Sequence, residues 1–119
     1  MSIKAKDDCY SLIQKISIAR DRVCQQPDCC TSVEVGHHLF SRSRMATAFL
    51  PEAVIGLCAW HHSTWAHGKP KAFRAFMITR IGERYHQLRR RSYETAKNLD
   101  YQEIRQGLVK VLAAYQHGA

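Results

Sequence analysis

Leu12, Ile13, Ile16, Ala19 and Val23 recur at the spacing that lines up apolar side chains along one face of a helix. Asp7 or Asp8 can cap that helix, which is expected to end near Val23, before the Gln25-Gln26-Pro27-Asp28 turn. The period then shortens. Residues 32–36 (Ser-Val-Glu-Val-Gly) alternate as a short strand does, and Ala53–Leu57 forms a second short apolar strand. A loop with Arg42 and Arg44 runs from the first to Pro51. Cys58 to Ala66 reads as a helix closed by Gly68. Pro70 suits the first turn of the next helix, with Ala72, Phe73, Phe76 and Met77 facing inward. Gly82 interrupts that pattern before a basic helix resumes to about Arg91. The last helix has the clearest start: Asp100 as N-cap, Glu103 completing a capping-box-like pair, and Leu99 able to staple onto Ile104. Its apolar stripe is Ile104, Leu108, Val111, Leu112 and Tyr115.

These elements add up to an α+β fold within a single domain, residues 1–119. Residues 1–30 hold the first helix and a cysteine pair, 31–68 the strand–strand–helix core, and 69–119 a basic helical extension. Neither repeats nor a flexible linker divide the chain. At 45% hydrophobic and 24% charged, the composition excludes a disordered chain and a membrane-embedded one. No window approaches the ~20 apolar residues of a membrane span, and no signal-peptide core follows Lys4 and Lys6. A cytoplasmic chain is therefore expected, with reduced cysteines. Five of them is also an odd number for full disulfide pairing.

Charge changes the picture. Lys69, Lys71, Arg74, Arg80, Arg84, Arg89, Arg90 and Arg91 face only Glu83 in sequence, so residues 69–91 carry seven of the net +8. A concentrated basic stretch is what neutralising phosphates requires, because each cation near a phosphate releases a condensed counterion. A solvated helix face is the plainer reading. An acidic membrane surface fits less well, for want of a lipid-inserting motif.

Cysteine and histidine add chemistry. Cys24 and Cys29 flank a loop containing Pro27, and Cys58 and His61 stand two residues apart at the start of the third helix. Two short-spaced ligand pairs, held apart in sequence, are what a tetrahedral zinc ion needs. Three cysteines and one histidine would make a closed, structural Zn2+ site. Cys30 could replace Cys29, and Cys9, in the first helix, reads as a small buried apolar residue. The plain alternative is ordinary buried thiols and a surface histidine.

The order of motifs is Arg20-Asp21, Cys24-x4-Cys29, Val35-Gly36-His37-His38-Leu39, Leu57-Cys58-Ala59-Trp60-His61-His62 and His67-Gly68. This series, over residues 20–68, resembles the HNH endonucleases of the ββα-metal fold in their zinc-braced form. The segment after it, Gly68-Lys69-Pro70 to Phe73 and Phe76 and then Arg80-Ile81-Gly82-Glu83-Arg84, is more loosely similar to phage-borne recombination nucleases of the Rap/NinG type. The resemblance implies a bacterial or phage-encoded enzyme that hydrolyses phosphodiester bonds in DNA. It implies that His37 and His62 hold a catalytic Mg2+ or Mn2+ and that His38 is the general base. An imidazole with a pKa of about 6.5 can accept a water proton at neutral pH.

Two positions depart from the family pattern. Its middle Asn falls near Ala53, and Asn98 is the one Asn in the chain. A second helix histidine falls at Ala66, so His67 is a candidate ligand only if the helix loosens before Gly68. Arg42 and Arg44 follow the His pair and could clamp a phosphate or be solvated. With Lys69, Lys71, Arg74, Arg89, Arg90 and Arg91 they form the expected nucleic-acid surface. Trp60 and Trp65 are five apart, a poor match to one helix face, so core packing is expected for at least one. Two rival readings stand beside the nuclease. One is a catalytically inactive, zinc-structured nucleic-acid-binding protein; the other is a structural protein that recruits a partner through the Ile104–Tyr115 stripe.

Overall fold

The computed structural model describes residues 2–117. Helix α1 spans Ser2–Asp21 and starts ahead of Asp7 and Asp8, which lie inside it. Asp8 caps nothing; it pairs with Lys4 one turn earlier, at 3.6 Å, and with Arg105 of the last helix, at 3.1 Å. Burial of Ala5 extends the packed face of α1 toward its start. The helix stops where Arg22 turns left-handed, φ 63°.

Strand β1 is Val35–His38, so the His pair lies inside the strand instead of following it. Of the expected 32–36 strand, Ser32 makes only an isolated bridge to Val23. Strand β2, Val54–Leu57, runs antiparallel to β1, with Val35 opposite Leu57, Gly36 opposite Gly56, His37 opposite Ile55 and His38 opposite Val54. The connection holds a short helix α2, Met45–Ala48, and a 3-10 turn at Pro51–Ala53, where a plain loop was expected. Helix α3, Ala59–His61, widens into a π turn over His62–Ala66.

Helices α4, Pro70–Ile81, and α5, Glu83–Ser92, are separated by Gly82 as the sequence predicts. In α4, Phe73 and Met77 are buried and Phe76 is half-buried. Ala72 is exposed, because it stands one place off that face. Helix α6 is Tyr101–His117. Asp100 Oδ1 accepts the Glu103 amide at 3.1 Å, the expected cap.

The small sheet separates two apolar layers, since successive strand residues face opposite sides. On one side Val54 joins Cys9, Ile13, Ile16, Phe49, Leu108 and Leu112, where α6 packs along α1. On the other, Ile55 and Leu57 join Cys24, Cys58, Ala66, Phe73, Met77 and Tyr85. Gly36 faces α1 so closely that a Cβ there would sit 2.7 Å from Ser17 Oγ. The mixed helix-and-sheet architecture expected from the sequence is present. None of the helices among the described residues is long and apolar enough to cross a membrane.

Candidate metal centres

The Cys24–Cys29 loop is closed by its own backbone: the Cys24 amide donates to Thr31 O at 2.7 Å and the Cys29 amide to Gln26 O at 3.0 Å. Cys58 stands at the N-cap of α3, where its sulfur accepts the His61 amide at 3.5 Å. Helix start and loop thereby aim Cys24, Cys29, Cys58 and His61 at one point, with all four ligand atoms within 4.8 Å of one another. A tetrahedral ion with about 2.3 Å bonds to sulfur and about 2.0 Å to nitrogen holds neighbouring ligand atoms roughly 3.5–3.8 Å apart. Cys29 Sγ and Cys58 Sγ are 4.0 Å apart, and His61 Nδ1 lies 3.6 Å from Cys24 Sγ and 3.3 Å from Cys58 Sγ. The cluster fits a zinc-like ion. Hydrogen bonds from Thr31, backbone first, hold the Cys29 thiol down to about 6, while burial pushes Cys24 up. Cys30 is exposed and stands outside the cluster, so Cys29 is the member of the pair placed to be a ligand. Cys9 is fully buried, as a small apolar residue would be.

The second cluster is His37, His62 and His67, whose ring nitrogens also meet within 4.8 Å. Strand alternation sends His37 toward α3 and His38 toward α1. In an α-helix, His62 and His67 would diverge, because five residues overshoot a 3.6-residue turn. The wider π turn, closed by the His67 amide on His62 O at 3.1 Å, brings their Nε2 atoms to 3.1 Å. An ion with bonds of about 2.1 Å at right angles holds adjacent donors roughly 3.0 Å apart. The His37 ring meets His62, His67 and Phe73 edge-on at 5.2, 5.0 and 5.1 Å. Burial first, and then the neighbouring His62, His67 and His38, holds His37 down to about 4. His62 is lowered by burial and by His67. Both shifts favour the neutral ring, which presents a lone pair.

Gly68 ends the π turn so tightly that a Cβ would lie 2.5 Å from Thr64 O. Gly68→Ala is accordingly expected to shift His67 off the cluster. Isothermal titration with Mn2+ should show at least tenfold weaker binding, about the loss a disturbed supporting contact causes at a metal site. Unchanged Mn2+ affinity would mean that His67 is not a ligand.

His38 Nε2 lies 3.0 Å from Ala48 O. A carbonyl only accepts, so Nε2 carries the proton and Nδ1 keeps the lone pair. Burial lowers the His38 pKa, partly opposed by the Ala48 bond and reinforced by Arg42. Tyr10 packs edge-on against the ring at 6.3 Å and donates to Arg42 O at 2.8 Å, with the Arg42 guanidinium 4.2 Å over its own ring. Gln14 clasps the residue before the His pair. Its Nε2 donates to Gly36 O at 2.9 Å, and its Oε1 accepts the Gly36 amide at 2.7 Å. His37, His38, His62, His67, Gln14 and Arg42 line one open cavity of about 670 Å3.

Tyr10 and Gln14 escaped the sequence reading. Nothing in the sequence singles them out: Gln14 shares the gap between Ile13 and Ile16 with Lys15, and only the structure shows it half-buried. Arg44 does not line this cavity and stacks instead over Tyr93 at 4.1 Å. Lys69, Lys71, Arg74, Arg89, Arg90 and Arg91 are all exposed; Arg90 also pairs with Glu83 at 3.6 Å, and Arg91 Nε donates to Ala46 O at 3.3 Å. Arg84 is paired with Glu52, and Arg80 donates to Gln25 at 2.7 Å. Trp60 is exposed, while Trp65 packs on Phe73 and Phe76. Comparison with protein-family models, curated proteins and solved structures finds no match to this chain.

Proposed function

We propose that this chain is a metal-dependent endonuclease of the HNH kind, with a ββα-metal core at residues 31–68 braced by a structural zinc. The observation that carries the reading is one cavity lined both by the His37, His62 and His67 cluster and by His38, whose Nδ1 is left as an acceptor. A divalent ion at the three-histidine cluster would supply Lewis-acid polarisation of a phosphate and stabilise the leaving oxygen. His38 Nδ1 takes the proton of the attacking water. Arg42, at the rim, pairs with a phosphate oxygen. Three imidazoles without a carboxylate suit a transition ion better than Mg2+, so Mn2+ is the better fit of the two ions expected.

Where the family has its Asn, this chain has the buried Ala53. Side chains of α1 supply another brace. Arg20 donates to Pro51 O and Val54 O at 2.8 and 2.6 Å, Asp21 Oδ2 accepts the Gly56 amide at 2.7 Å, and Gln14 holds Gly36. That same replacement favours the second reading, a zinc-structured DNA-binding protein without chemistry. Plasmid nicking by purified protein, with and without Mn2+, separates the two: metal-dependent nicks support the nuclease, and intact plasmid despite tight binding supports the other.

Both readings expect DNA affinity that falls steeply with salt. Neutralising Arg89, Arg90 and Arg91 to Gln should flatten log affinity against log salt by up to ~0.9 for each phosphate these side chains neutralise in the wild type. Arg89 is expected to matter most, since Glu83 already engages Arg90 and Ala46 O engages Arg91. An unchanged slope in a fluorescence-anisotropy titration would assign these arginines to solvent.

A further inference from the structure

A second cavity, of about 320 Å3, opens beside the cysteine cluster and is lined by Gln26, Trp60, His61, Thr64, Trp65 and Lys69. Trp60 is 70% exposed, the highest value for a large apolar side chain among the described residues. Trp65 is fixed by edge-on packing against Phe73 and Phe76, each at 4.9 Å. The π turn that gathers His62 and His67 also places these two indoles, again five residues apart, around one hollow.

The polar groups around the indoles are donors. Gln26 Oε1 is taken by the Asp28 amide at 2.9 Å, so its NH2 is the group left for a ligand. His61 turns Nδ1 to the thiols, and an ion held there would take that nitrogen and leave the proton on Nε2. Lys69 adds a cation at the start of the basic segment. The Thr64 hydroxyl gives its proton to Trp60 O at 2.8 Å and is left as an acceptor, the exception among them. An apolar side chain of a protein partner would leave those donors unpaired, which is costly. A nucleobase offers a flat face to the indole and acceptors at its edge, and its phosphate offers an anion to Lys69. We infer that this cavity binds an unpaired base of single-stranded DNA, with Trp60 stacked on the base and Lys69 on the adjoining phosphate.

The inference rests on the nucleic-acid reading above and adds a second point of attachment to it. Labelled oligothymidylate and a blunt duplex serve as probes for wild type, Trp60→Ala and Trp60→Phe, all checked for equal melting temperature. Trp60→Ala is expected to weaken oligothymidylate binding roughly 5- to 150-fold, the cost of one lost stacked base. Trp60→Phe should recover much of that affinity, and duplex binding should stay as in wild type. Equal weakening on both probes, or none on oligothymidylate, overturns the base site and leaves the DNA reading standing. If wild type binds neither probe, both fail.

Discussion

Treatment with a chelator strong enough to empty a zinc site at Cys24, Cys29, Cys58 and His61 is expected to unfold half of this protein. Cys24 and Cys58 are not appended to the core; with Ile55, Leu57, Ala66, Phe73 and Met77 they compose one of its two apolar layers. An ion at their cluster ties the Cys24–Cys29 loop to the start of α3, and the unfolded chain has no such site to compete. Apparent binding energies of structural zinc, about 10–16 kcal/mol in small peptides, rival the 5–15 kcal/mol that stabilises a whole domain. The α1–α6 layer is built from Cys9, Ile13, Ile16, Leu108 and Leu112 and includes no ligand. Chelation should therefore abolish the near-ultraviolet signal of Trp65 while leaving part of the helical circular dichroism. Cys58→Ser should reproduce the effect, and Cys30→Ser, at an exposed position, should not. Acid acts in the same direction, since protons compete for the thiolates. Purified protein without near-stoichiometric metal, and with a spectrum indifferent to chelator, would rule the site out.

The parts legible in the sequence are those written locally. Cys24 with Cys29, and Cys58 with His61, are joined by loops too short to do much but converge. The Asp100 cap and the Leu108–Leu112 stripe are local in the same sense. Strand limits were less legible because Ser32-Val33-Glu34 alternates as well as Val35-Gly36-His37 does. What selects the second is Gln14, paired to Gly36 from 22 residues away, with Asp21 gripping Gly56 from 35. Helix α1 begins ahead of Asp8 because Ala5 is buried one turn before Cys9, while Asp8, a plausible cap, pairs with Arg105 of α6. The π turn is hidden from any reading in steps of 3.6. Its trace is a spacing: Trp60 and Trp65, and His62 and His67, are each five apart, followed by a Gly68 that tolerates no Cβ. That turn converts His67 from a displaced neighbour of Ala66 into a member of the second cluster.

His38→Ala is expected to lower metal-dependent DNA cleavage by roughly 10²–10⁴-fold, the usual contribution of a positioned general base. Fold, zinc content and DNA affinity should stay close to wild type, because the ring touches Ala48 O, Tyr10 and the cavity but neither ligand cluster depends on it. His38→Gln sharpens the test. Its amide can still donate to Ala48 O, so the loop stays anchored, but it cannot accept a proton from water. Both variants should be slow; a slow Ala beside a fast Gln would make His38 a spacer. His37→Ala and His62→Ala should also be inactive, for a different reason: each removes a nitrogen from the three-histidine cluster, so activity should partly return at high Mn2+. Added Mn2+ should not rescue His38→Gln. His61→Ala completes the comparison. Neighbours on a helix point about 100° apart, and His61 reaches the thiols while His62 reaches His37 and His67. It should lose stability and zinc instead of catalysis alone. If His62→Ala proved the unstable one and His61→Ala the stable, inactive one, the two ion sites would be exchanged. Cleavage by His38→Gln at the wild-type rate would leave the nuclease without its base and return the cavity to the binding-protein reading.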